Sequence, residues 1–100
     1  MSLDIHRCII SMATLYTYFI LAVVDGKLEK AKHIYDVANV NKVPINIHSD
    51  NENPFRWSCI NGHLEVAKWL WCISNETIDL TKIDVEKCNG DIIDFVDSIK

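Results

Sequence analysis

The sequence predicts an all-α chain built as a short solenoid, in which helix-turn-helix pairs are joined by extended finger loops. Three observations predict it. A seventeen-residue phrase recurs at an offset of 36, each copy places a glycine turn between two apolar helical faces, and short extended phrases separate the copies. Self-similarity at such a period marks repeat architectures, where each unit buries its apolar face against the next.

Residues 19–35 read FILAVVDGKLEKAKHIY and residues 55–71 read FRWSCINGHLEVAKWLW. Phe19/Phe55, Gly26/Gly62, Leu28/Leu64, Glu29/Glu65, Ala31/Ala67 and Lys32/Lys68 are identical. Size and polarity are kept at Ala22/Ser58, Val23/Cys59, Val24/Ile60, Asp25/Asn61, Ile34/Leu70 and Tyr35/Trp71. A weaker copy follows at an offset of 28, where TKIDVEKCNG at 81–90 aligns with NPFRWSCING at 53–62. The fingers are Leu3-Asp4-Ile5-His6, Ile45-Asn46-Ile47-His48 and Ile78-Asp79-Leu80. These boundaries give one array across 1–100, with an N-terminal segment 1–16, repeats at about 17–52 and 53–80, and a partial repeat 81–100. A chain of this length leaves no room for a second domain.

In the middle copy, Asn53 is a good N-cap, and Pro54 fits the first helical position, where an N–H would be unsatisfied anyway. The helix should stop at Asn61-Gly62, because glycine tolerates the left-handed conformation that closes a helix. The second helix then runs from about Leu64 to Ser74. At about 100° per residue, Leu64, Ala67, Leu70 and Trp71 share one side and Val66, Trp69 and Ile73 the other. Only Glu65, Lys68 and Cys72 remain outward, so protein must flank this helix on both sides. Its equivalent in the first copy, Leu28 to Ala38, has a wider polar arc of Glu29, Lys30, Lys32, His33 and Asp36, as expected nearer an end of the stack. A last helix shows Asp91, Asp94 and Asp97 to solvent and turns Ile92, Phe95, Val96 and Ile99 inward.

With these elements placed, NPFRWSCINGHLEVAKWL resembles an ankyrin repeat, and the variant N-G-H-L-E-V-A-K-W-L is similar to ankyrin arrays of large DNA viruses. Asn53 stands for the family's capping Thr, Pro54 for its Pro, Phe55 for its Leu, Ser58 and Cys59 for the paired small residues, and Gly62-His63 for Gly-His. Val66, Ala67, Leu70 and Trp71 fill second-helix core positions. Thr17, Leu21, Ala22 and Gly26 match in the first copy, and Thr81, Ile83, Val85 and Gly90 in the third. Arg56 departs from the family's His, the finger Ile45–Glu52 lacks the usual Asp-x-x-Gly turn, and Glu86 and Lys87 occupy small-residue sites. The third copy is therefore expected to be a frayed cap.

Fourteen acidic and ten basic residues give a net charge of -4, and residues 76–100 hold the whole excess, with seven acids and three bases. No basic stripe exists for nucleic acid. The cysteines, Cys8, Cys59, Cys72 and Cys88, form no C-x-x-C pair, which points to a reducing compartment. Cys8 to Val24 is uncharged, but hydroxyl-bearing residues dilute it and it falls short of the roughly 18–20 apolar residues of a membrane span. Cys59 and His63 have a ligand-like spacing, with Cys72 or Cys88 as a third donor, yet Cys59 fills a small-residue core site and His63 the inter-helix turn. Zinc is not expected, and no other cofactor is. Asp91, Asp94 and Asp97 read as a solvated face, not a paired-carboxylate site. Trp57 and Trp71 fall on family core positions and are read as packing. The sequon Asn75-Glu76-Thr77 would matter only in a secreted protein.

No constellation supplies both a nucleophile and its activator, so the chain is not expected to be an enzyme. The resemblance implies a protein-interaction module using finger tips and the face of the first helices. On that mapping, the binding residues are His48, Asp50, Asn51 and Glu52 on the finger, with Arg56 and Ile60 on the adjoining helix. The partner is a protein, a host protein in the host cytoplasm if the origin is viral. The alternative is a truncated remnant, or a structural unit that self-associates.

Overall fold

The computed structural model describes residues 12–100. The N-terminal finger phrase, Cys8 and most of the 1–16 segment lie outside the described residues. The rest is all-α: α1 (Met12–Val24), α2 (Leu28–Val40), α3 (Ser49–Ile60), α4 (Leu64–Ile73), 3-10 turns at Leu80–Lys82 and Val85–Lys87, and α5 (Gly90–Ile99). Among the described residues no helix is long and apolar enough to cross a membrane.

The internal repeat is visible in the backbone. The N–H of Gly26 reaches the Val23 carbonyl at 3.1 Å and that of Lys27 reaches Ala22 at 2.9 Å; the N–H of Gly62 reaches Cys59 at 3.1 Å and that of His63 reaches Ser58 at 2.8 Å. Gly26 and Gly62 have φ of +73° and +72°. This pattern closes a helix by satisfying its last carbonyls around one left-handed residue. The same pattern ends α2 at Lys42, φ 61°, and α4 at Asn75, φ 56°. Lysine is an uncommon occupant of that position, since only glycine enters it without steric cost.

Burial repeats with the turn. Phe19 and Phe55, Ala22 and Ser58, Val23 and Cys59, Ala31 and Ala67, and Ile34 and Leu70 are all buried, pair by pair. Each pair packs internally, α1 on α2 and α3 on α4, and the pairs stack through α1 on α3 and α4 on α5. Fully burying a side chain such as Phe55 contributes about 1.5–3 kcal/mol. On α4, Glu65, Lys68 and Cys72 are the exposed strip, as the helical periodicity requires. Trp69 fills the seam between pairs, its ring 5.6 Å from Tyr35 edge-on and 6.0 Å from Phe19.

Three sequence expectations are corrected. Trp57 is 41% exposed and does not occupy the core. Thr17 lies inside α1, which is already helical from Met12. The opening of α3 is not a simple cap at Asn53: Asp50, Asn51 and Glu52 form a left-handed turn with φ of 54°, 60° and 65°, and the right-handed helix follows it. The third unit is not among them: in keeping with the frayed copy expected there, two 3-10 turns stand in place of a first helix, and Gly90 begins α5 under Asn89, whose Oδ1 accepts the Ile92 N–H at 3.0 Å. Ile83 still takes the buried place of Phe55. The register is lost beyond it, because Glu86 and Lys87 are exposed where Ser58 and Cys59 are buried.

Candidate protein-interaction surface

The finger before α3 alternates in the extended manner, with Ile45 and Ile47 buried and Pro44, Asn46 and His48 facing solvent. Asn46 turns the chain: its Oδ1 accepts the His48 N–H at 3.0 Å, and its carbonyl accepts the Ser49 hydroxyl at 2.8 Å. Such side-chain turns substitute for a glycine turn. The left-handed residues Asp50 and Asn51 come next and form the exposed tip. Asp and Asn tolerate this conformation better than most residues do.

Glu52 closes the turn from inside. It is only 6% exposed, and its carboxylate accepts from His48 Nδ1 at 2.6 Å through Oε1 and from the Asp79 backbone N–H at 2.8 Å through Oε2. His48 Nε2 in turn faces the Thr77 hydroxyl at 3.4 Å. One buried carboxylate thus ties this finger to the next, from Thr77 to Asp79. Burying it is tolerable because both oxygens are hydrogen-bonded. Of the six expected binding residues, Asp50 and Asn51 stand free at the tip, whereas Glu52 is committed to the scaffold with His48 as its exposed partner. Arg56 is half-buried and reaches back to the Asp50 carbonyl at 3.3 Å, bracing the tip. Ile60 is half-buried one turn beyond Trp57 on α3.

Trp57 and Leu21 were not among the expected contacts. They occupy the same repeat position, and both are exposed, Leu21 at 55%. Tyr18, one turn before Leu21 on α1, is 56% exposed. Since α1 and α3 pack side by side, these residues give the first helices of two successive units a shared apolar face. The signal was present in the sequence. With Phe55, Ser58 and Cys59 defining the inner side, Trp57 falls about 200° from Phe55 and must point outward.

Titratable chemistry is quiet here. Burial, with a smaller push from Cys88, raises the Cys59 thiol to about 12. Burial and then Asp84 raise the Cys88 thiol. The Thr81 hydroxyl and N–H, donating at 2.6 and 3.0 Å, hold the Asp79 carboxyl below its ordinary range. His63 Nε2 donates to the Val24 carbonyl at 2.8 Å, across the seam between units. Among the described residues no three His, Cys, Asp or Glu side chains gather to hold a metal ion. No protein-family model, curated protein or solved structure matches the chain.

Proposed function

We propose that this chain is a non-enzymatic protein-interaction module of ankyrin type, which binds a partner protein through the Asp50-Asn51 tip and the exposed face of its first helices. One observation carries the reading. Leu21 and Trp57 are exposed at the same repeat position on a scaffold whose neighbouring positions are buried pair by pair. Large apolar side chains held out on rigid helices are what interface anchors consist of, tryptophan above all. The polar tip beside them rests on braced backbone, so its side chains are free to vary without cost to the core. The cysteines Cys59, Cys72 and Cys88 are free, which suits the reducing cytoplasm, and a host protein is the natural target if the origin is viral.

The test is affinity enrichment from cells with three baits: the native chain, Trp57→Ala, and Asp50→Ala with Asn51→Ala. Helical circular dichroism is matched first. A protein captured by the native chain and lost from either variant supports the module. Capture unchanged by both variants overturns it. A chain that captures only itself, with sedimentation that depends on concentration, favours the self-associating structural unit.

A further inference from the structure

The sequence holds two Asn-Gly pairs, Asn61-Gly62 and Asn89-Gly90, and the structure puts them in opposite situations. Asparagine before glycine is chemically labile, because a following residue without a side chain lets its backbone nitrogen approach the asparagine amide. A fold restrains that attack by holding the glycine N–H, by holding the amide, or by keeping ψ far from the value at which the imide ring closes. All three restraints act on Asn61. The Gly62 N–H donates to the Cys59 carbonyl at 3.1 Å, the Asn61 amide donates to the Trp57 carbonyl at 2.9 Å, and ψ is 3°. Asn89 differs on each count. Gly90 is the first residue of α5, where a helix leaves the N–H without a partner of its own, and among the described residues that N–H meets no acceptor. The Asn89 amide nitrogen lies over Gly62, 2.6 Å from where a Cβ would stand, and makes no hydrogen bond among the described residues. Ring closure carries ψ past the extended value and away from the helical one, so Asn89, with ψ of 173°, has less far to turn.

Two further features favour reaction at Asn89. Its Oδ1 accepts the Ile92 N–H at 3.0 Å, a donor placed where negative charge develops when the side-chain carbonyl is attacked. Asn89 and Gly90 are both exposed, so water reaches the product. We infer that Asn89 is a site of spontaneous deamidation that loosens the third unit as the protein ages. The Gly90 nitrogen gives up its proton to hydroxide and bonds to Asn89 Cγ; the Cγ–Nδ2 bond breaks and ammonia leaves. Water then opens the imide at either carbonyl, giving aspartate or isoaspartate, with no change of oxidation state. The two products act differently on the fold. Aspartate keeps the capping acceptor, and its charge suits the N-terminus of α5. Isoaspartate routes the main chain through Cβ, which draws the cap away from the Ile92 N–H and the side chain off Gly62. Helix α5 then loses its fastening beside α4, the helix it packs on.

The test is peptide mapping by mass spectrometry after the full chain has been held at mildly alkaline pH, folded and in denaturant. In the folded chain Asn89 is expected to convert at least about 10-fold faster than Asn61, and in denaturant the two are expected to convert at similar rates. Gly90→Ala is the clean control, because a Cβ there meets nothing within 4 Å. It is expected to slow conversion of Asn89 at least about 10-fold while the urea midpoint stays the same or rises. The isoaspartate form, separated chromatographically, is expected to unfold at lower urea than the native chain, whereas Asn89→Asp is expected to keep the native midpoint. Conversion of Asn61 as fast as Asn89 in the folded chain, no conversion of Asn89 while the denatured chain converts, or indifference to Gly90→Ala overturns the site. An isoaspartate form with the native midpoint overturns the loosening.

Discussion

The imidazole of His63 lies over Gly26, close enough that a Cβ at Gly26 would sit 2.5 Å from His63 Nδ1, while Nε2 donates to the Val24 carbonyl at 2.8 Å. The turn of one unit is therefore clasped by the turn of the next. Asn89 does the same to Gly62, its amide 2.6 Å from where a Cβ would stand. In a stack where each unit contacts only its neighbours, such clasps set how well the units hold together.

Gly26→Ala tests the clasp. The new side chain enters a left-handed residue, costing about 1–2 kcal/mol, and displaces a ring whose hydrogen bond is worth about 1 kcal/mol. Urea unfolding is expected to show a loss of about 2–3 kcal/mol. In a His63→Ala background the same substitution should cost only the backbone part. Additive losses in the two backgrounds would mean that His63 does not hold the turn.

Glu52→Ala is expected to cost about 2–3 kcal/mol, because it removes a charged acceptor and leaves the Asp79 N–H without its partner. Asn51→Gly, one residue away, should be neutral or raise stability by up to about 1 kcal/mol, since glycine adopts φ of 60° freely. The contrast separates the two kinds of finger residue. An Asn51→Gly variant that binds its partner poorly while unfolding at the native urea midpoint would assign the amide to recognition; a matching loss of stability would assign it to the scaffold.

Cys59 and Cys72 are expected to differ sharply toward alkylating reagents. Cys72 is exposed, while the buried Cys59 thiol, raised to about 12, has almost no thiolate at pH 8. Mass spectrometry after brief maleimide treatment should find Cys72 modified and Cys59 not, until urea is added. Equal labelling in the native state would show that the α3 core opens readily.

The repeat, both glycine turns and the outward strip of α4 were legible because each depends on local periodicity and on one residue's freedom at positive φ. The finger was not. Glu52 looks like a tip residue in sequence, and its burial rests on His48 together with the Asp79 N–H, 27 residues away, which no local pattern reveals. The loss of the third unit's first helix was foreshadowed by Glu86 and Lys87, which cannot be buried where Ser58 and Cys59 are. The replacement by 3-10 turns, with α5 capped by Asn89 and packed on α4, depends on contacts between elements that no local pattern carries.

Trp57 and Trp69 show where resemblance and periodicity disagree, and the disagreement can be measured. A family core position assigns Trp57 to packing, while its angle from Phe55 places it outside, and the structure has it 41% exposed. Trp69, two residues before the other expected core tryptophan, touches Phe19 and Tyr35 across the seam between units. Truncating a residue in such a cluster removes both buried area and ring contacts, so Trp69→Ala is expected to cost about 3–5 kcal/mol. Trp57→Ala leaves no internal cavity and should cost under about 1 kcal/mol. Unfolding curves of the two variants decide the matter. Equal losses would mean that Trp57 packs inward after all, and the first-helix face would then lack its main anchor.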